Sequence, residues 1–193
     1  MGEEGQVKLI KGRSGMMVVV PLLRIMALLA TATATIVMAV NKETHTFAVA
    51  TVGNTPVKLT IMAKFHHIPA NVMFVIANGL ASLHCLLMLS FSFLSHKYDL
   101  KGLRFVIVTA LDMMMISLVS GAATATVFIG EIARHGNSHA RWNKICDNFE
   151  RYCNQASGAI SASYIGIFFF MVVIMVNIFK REQLNTINNS TNA

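Results

Sequence analysis

Arg24, His84 and Asp112 stand inside long apolar runs, where ionisable side chains are rare. A charge near the middle of a bilayer costs about 2.5–3.5 kcal/mol on insertion scales, so each residue needs a partner or a task. Arg24 lies eight residues into its run and Asp112 seven into its own. At the helical rise these are depths of about 12 and 10 Å, and the two runs cross in the same direction. Equal depth and opposite charge predict a bidentate ion pair between the first and third helices. His84, at about 15 Å depth, could join it as a hydrogen-bond partner or proton acceptor. Two other readings stay open: Arg24 snorkelling alone to the headgroups, and an ion path through Arg24, Asp112 and His84. A path needs polar residues along its length, and the third helix offers mainly Thr109, Ser117 and Ser120. A structural clip is therefore the preferred reading.

A second group lies between the third and fourth runs. Cys146 and Cys153 flank Phe149 and Tyr152, with Trp142 just before them. On an oxidising outer face these cysteines are expected to form a disulfide. It would rigidify a loop presenting Trp142, Phe149 and Tyr152 as a partner surface, although aromatic residues there also serve as interfacial anchors. Cys85, inside the second run, reads as an inert core thiol. His135 and His139 have helical ligand spacing, but Gly136 and Asn137 interrupt that helix, so no metal site is expected.

The elements that must hold these groups follow from composition. The chain has 193 residues, 54% hydrophobic and 13% charged, with a mean hydropathy of +0.57. A soluble domain of this length cannot bury that much apolar surface. Apolar runs at 16–40, 70–94, 105–129 and 156–179 each exceed the roughly 20 residues that cross hydrocarbon as a helix. Of the 16 Lys+Arg and 9 Asp+Glu, only Arg24 and Asp112 fall within them. The net charge of +7 sits in short segments between the runs, which argues against a nucleic-acid partner. The fold class is an all-α integral membrane protein, a bundle of four transmembrane helices. Lys97, Lys101 and Arg104 crowd the shortest loop, and Lys180 and Arg181 stop the fourth run. Basic density thus places both termini in the cytoplasm. The segments are then a cytoplasmic leader 1–15, outer loops 41–69 and 130–155, and a cytoplasmic tail 180–193 whose last nine residues read as disordered. The first run, behind a polar leader and longer than a signal core, reads as a span that stays.

Small residues recur every four positions: Ala27, Thr31 and Thr35 in the first run; Ser117, Gly121 and Ala125 in the third; Gly158, Ala162 and Gly166 in the fourth. Each set lies on one helix face and lets backbones approach. Packing within the bundle and assembly between copies remain equal readings. No nucleophile with a base at readable spacing, phosphate loop or carboxylate pair in a span is found, so neither enzymatic activity nor a cofactor is expected.

Several stretches together resemble the plant CASP-like proteins, relatives of the Casparian strip membrane domain proteins and similar to MARVEL-type tetraspans. They are Leu22, Leu23, Arg24, Ile25, Met26 and Ala27; Val75, Ile76, Ala77 and Asn78; Leu111 and Asp112; Trp142, Asn143, Lys144, Ile145, Cys146 and Asp147 with Phe149 and Cys153; and Gly158, Ala159 and Ile160. The likeness spans about 16–180 and is greatest to the first CASP-like subfamily. It implies a multi-pass plasma-membrane protein that forms homodimers, heterodimers or higher oligomers with related proteins. In strip-forming members such assemblies make a platform that excludes lipids and recruits extracellular wall enzymes such as peroxidases. Segment 41–69 lacks the short signature those members carry there, so a general scaffold is what the resemblance implies. The alternative is a small transporter or proton-coupled channel using Arg24, Asp112 and His84.

Overall fold

The computed structural model describes residues 3–52, 55–94 and 101–191. The helices are α1 (Glu3–Ala39), α2 (Pro69–Leu94), α3 (Lys101–His135) and α4 (Glu150–Thr191). Strands β1 (Lys42–Val52) and β2 (Thr55–Lys64) stand between α1 and α2 as an antiparallel hairpin. Four helical stretches are long and apolar enough to cross a membrane: Val18–Ala39, Pro69–Ser92, Phe105–His135 and Glu150–Gln183. The chain is thus an all-α membrane bundle capped by one small β element.

Each helix buries a stripe of alternating three- and four-residue steps. On α1 it is Arg24, Ala27, Thr31, Ala34 and Met38; on α2, Asn71, Phe74, Asn78, Ala81 and Cys85; on α4, Ala159, Ser163, Gly166, Phe170 and Val173. That rhythm keeps one seam facing its neighbours along the helix. The seams hold small and polar residues, whereas Leu22, Leu29, Ile76, Leu83, Phe128 and Phe168 point outward. Lipid solvates such side chains as well as a core does, so close backbone approach governs the inside. Helix α1 packs on α2 and α4, and α3 packs on the same two helices, which sets α1 and α3 diagonally across the bundle.

Helix α1 starts at Glu3, which puts Pro21 in its interior. There it removes one backbone hydrogen bond and leaves the carbonyl four residues earlier without its usual donor. The tail does not lose structure at 185, because α4 continues to Thr191. Segment 41–69 is mostly the hairpin, whose pairing runs from Lys42↔Lys64 to Val52↔Thr55 with one irregularity between Ala48 and Ala50. Of the cations between α2 and the start of α3, Lys97 lies outside the described residues, as do the side chains of Lys101 and Arg104.

Candidate functional site

The site begins as three side chains on three helices. Arg24 Nη1 and Nη2 donate to Asp112 Oδ1 at 3.1 Å and Oδ2 at 2.6 Å. His84 Nε2 lies 2.7 Å from Oδ1 of the same carboxylate. Because that oxygen already accepts from Arg24, His84 acts as donor. The residues are 5%, 6% and 0% exposed for Arg24, His84 and Asp112. Phe170 of α4 stacks on the His84 ring at 6.4 Å between centroids. All four helices therefore meet at one ionic node, held by charge-assisted bonds. Arg24 points into the bundle, towards a carboxylate, rather than out to the headgroups.

Beyond the node, polar side chains join helices in pairs. Ser163 Oγ donates to Asn78 Oδ1 at 2.8 Å, while Asn78 Nδ2 donates to the Phe74 carbonyl. Thr126 Oγ1 lies 3.2 Å from the Ala70 carbonyl and 3.0 Å from that of Ala122. Asn71 and Asn78 were the readable signal, since amides seven apart in an apolar run share one helix face with Cys85. They are separated by an apolar layer of Ala34, Met38, Phe74, Ala123 and Ala159.

At the hairpin end, Cys146 and Cys153 form a disulfide, with Cα atoms 5.8 Å apart. Cys146 N–H and Ile145 N–H donate to the Ala133 carbonyl, tying the loop to the end of α3. The reversal before it uses Gly136 at φ +71°, where a Cβ would meet the Trp142 carbonyl oxygen at 2.8 Å. Trp142 is displayed, at 55% exposure. Phe149 and Tyr152 are not: both are buried, which corrects their expected place on a partner surface. The reason is the hairpin. Phe149 packs edge-on to His45 and Phe47 of β1. Glu43 Oε2 accepts the Tyr152 backbone N–H at 2.7 Å, Asn41 Nδ2 donates to the Tyr152 carbonyl at 2.8 Å, and Asn71 Nδ2 donates to Tyr152 Oη at 2.9 Å. An N–H in the first turn of α4 has no partner within its helix, and a carboxylate suits that end of the helix dipole. Tyr152 thereby clasps the hairpin, α2 and α4 together.

The disulfide closes a short loop, so a chain-entropy estimate assigns it about 2.5 kcal/mol. Replacing Cys146 and Cys153 together by serine is expected to lower the thermal midpoint of the purified protein. Reductant should lower the parent's midpoint equally and leave the double variant unchanged. Equal midpoints for parent and variant would show that the clasp suffices without the bond.

The small-residue sets divide. Ala27 and Thr31 of α1 and Gly166 of α4 are buried, and a Cβ at Gly166 would meet Thr31 Cγ2 at 2.8 Å. Ala162 is half-buried and Gly158 exposed. Ser117, Gly121 and Ala125 of α3 all face outward, and a Cβ at Gly121 would meet nothing within 4 Å. His135 pairs with Glu131 at 3.0 Å, while His139 only extends the Asn137 turn through its backbone. Among the described residues no three His, Cys, Asp or Glu side chains cluster as a metal site would.

Comparison with known proteins agrees with this architecture. The family model of the Casparian strip membrane protein domain matches residues 13–169. A CASP-like protein 1B1 of Populus trichocarpa is 49% identical over 185 residues, covering 93% of this chain and 95% of its own. A CASP-like protein 1B1 of Ricinus communis is 53% identical over 152 residues, 79% of this chain and 75% of its own. A CASP-like protein 1B2 of Arabidopsis thaliana is 48% identical over 171 residues, 89% and 86% respectively. No solved structure matches. With the family domain over most of its length and these relatives matched over three quarters or more of theirs, the chain belongs to the first subfamily of the plant CASP-like membrane proteins.

Proposed function

We propose that this protein is a non-enzymatic scaffold of the plasma membrane, with both termini in the cytoplasm, which self-associates and meets cell-wall proteins through its hairpin end. The observation that carries this reading is the α3 face of Ser117, Gly121 and Ala125. Ala27 and Thr31 of α1 and Gly166 of α4 are used inside the bundle, whereas this face is left outward along its whole length. A smooth helix face in lipid favours another helix, because close backbone approach gains contacts that acyl chains give poorly. Exposed Leu59, Ile61, Trp142 and Ile145 at the hairpin end support an outer partner surface. The closed ionic node and the apolar layer beyond it support a building block over a conduit.

Gly121→Leu tests the assembly. Its side chain enters open space within the chain, so the bundle should keep its stability. Counting subunits by single-molecule photobleaching in native membranes should show association at least ten-fold weaker, about 1.4 kcal/mol. An unchanged subunit distribution would remove this face from the assembly. Proximity labelling from the hairpin in plant cells tests the second half, with wall proteins as the expected captures and a background-only profile as the contrary result.

A further inference from the structure

At the end of the bundle that carries both chain termini, a cavity of about 280 Å³ opens below the ionic node. It is lined from all four helices, with Arg24, Ser92, Thr109, Asn177 and Lys180 as its polar groups. None of the described residues lining it is Asp or Glu. Arg24 spends two of its N–H groups on Asp112, and a guanidinium has five. Phe105, also on the wall, carries the Arg181 guanidinium over its ring at 4.7 Å, so a further cation stands at the rim.

Thr109 supplies an independent sign. Thr31, Thr35, Ser90, Ser117 and Ser161 each donate to the carbonyl four residues back, the ordinary resting place for a hydroxyl in an apolar helix. The Thr109 hydroxyl is buried yet has no hydrogen-bond partner. A buried polar group without one costs about 1–3 kcal/mol, which a turn of the Thr109 side chain towards a ligand in the cavity would relieve. Cations, amide and hydroxyl donors, and no carboxylate among the described lining residues together describe a receptor for an oxyanion. Basic pockets between helices at a membrane face suit phosphorylated headgroups.

We propose that this cavity binds a phosphate-bearing anion, with Lys180 supplying charge and the free edge of Arg24, Thr109 and Asn177 donating hydrogen bonds. The source is either an anionic lipid headgroup of the adjoining leaflet or dissolved phosphate. The inference is independent of the scaffold reading, since it concerns one chain and needs no assembly.

The test is thermal unfolding of the full chain in maltoside micelles. Probes are a short-chain phosphatidylinositol phosphate, inorganic phosphate, and short-chain phosphatidylcholine as a neutral control. A ligand that binds the folded state raises the midpoint with concentration. An anionic probe should do so where phosphatidylcholine does not, and K180Q should weaken its apparent affinity at least ten-fold. T109V, nearly equal in shape, should weaken it about threefold while leaving unliganded stability unchanged or higher, because no internal bond is lost. K144Q, in the far loop, should change nothing. Stabilisation by inorganic phosphate assigns the site to a dissolved anion; stabilisation by the lipid alone assigns it to a headgroup. No anion-dependent shift, or a shift equal in parent, K180Q and T109V, overturns the proposal.

Discussion

Asp112→Leu is expected to be the most damaging single substitution in the chain, and adding Arg24→Leu to it should restore part of the loss. Removing the carboxylate leaves the Arg24 guanidinium, 5% exposed, facing an apolar side chain. Breaking one side of a buried pair typically costs about 3–5 kcal/mol, chiefly from the stranded charge. Removing both charges eliminates that penalty and leaves a filled apolar space. Recovery should be incomplete, because His84 Nε2 also loses its acceptor on Asp112. The measurement is unfolding of each variant in lipid bicelles, with the surface-delivered fraction of a fluorescent fusion as a second readout. A coupling energy of about 2 kcal/mol or more is expected from the cycle. Strictly additive losses would mean that the two side chains act separately despite their contact.

The second large effect is at the α1–α4 contact. Gly166→Ala places a methyl group 2.8 Å from Thr31 Cγ2 and 3.6 Å from Ala30 Cβ. Thr31 cannot readily turn away: its hydroxyl is held to the Ala27 carbonyl at 2.9 Å, and a β-branched side chain in a helix has few rotamers. Overpacking of this kind costs about 1–3 kcal/mol. Thr31→Ser removes the obstructing methyl group while keeping the hydroxyl, so the pair Gly166→Ala with Thr31→Ser should recover most of the stability. Gly121→Ala serves as contrast and should be near neutral, since its new atom meets nothing within 4 Å. Alanine is the better helix former, so an equal gain at Gly166 and Gly121 would show that helix propensity, not contact, governs both.

The parts legible in the sequence share one cause. Lipid penalises charge and unsatisfied backbone so strongly that four helices, and a pairing of Arg24 with Asp112 at matched depth, follow from run lengths and positions alone. Burial at the hairpin end obeys weaker rules. The hairpin had a signal in Thr- and Val-rich segments on either side of Gly53 and Asn54, but helix-length apolar runs dominate a reading made on membrane criteria. Without the hairpin, nothing indicates that Phe149 and Tyr152 are covered, because their shelter is formed by Asn41, Glu43, His45 and Phe47 a hundred residues away in the chain. The periodic small residues were visible as faces, yet a face alone does not say which neighbour takes it. Only the helix order, with α1 beside α4, assigns Thr31 and Gly166 to each other and leaves Gly121 outside.

Arg24 leaves the ribosome 88 residues ahead of Asp112. At a synthesis rate of about 5–20 residues per second, the first helix waits roughly 4–18 s before its counter-ion exists. During that interval its guanidinium has to stay near water or the insertion machinery, so α1 cannot settle at its final depth until α3 arrives. A nascent chain interrupted before the third helix thus carries an intramembrane charge with no counter-ion, at a cost of about 2.5–3.5 kcal/mol.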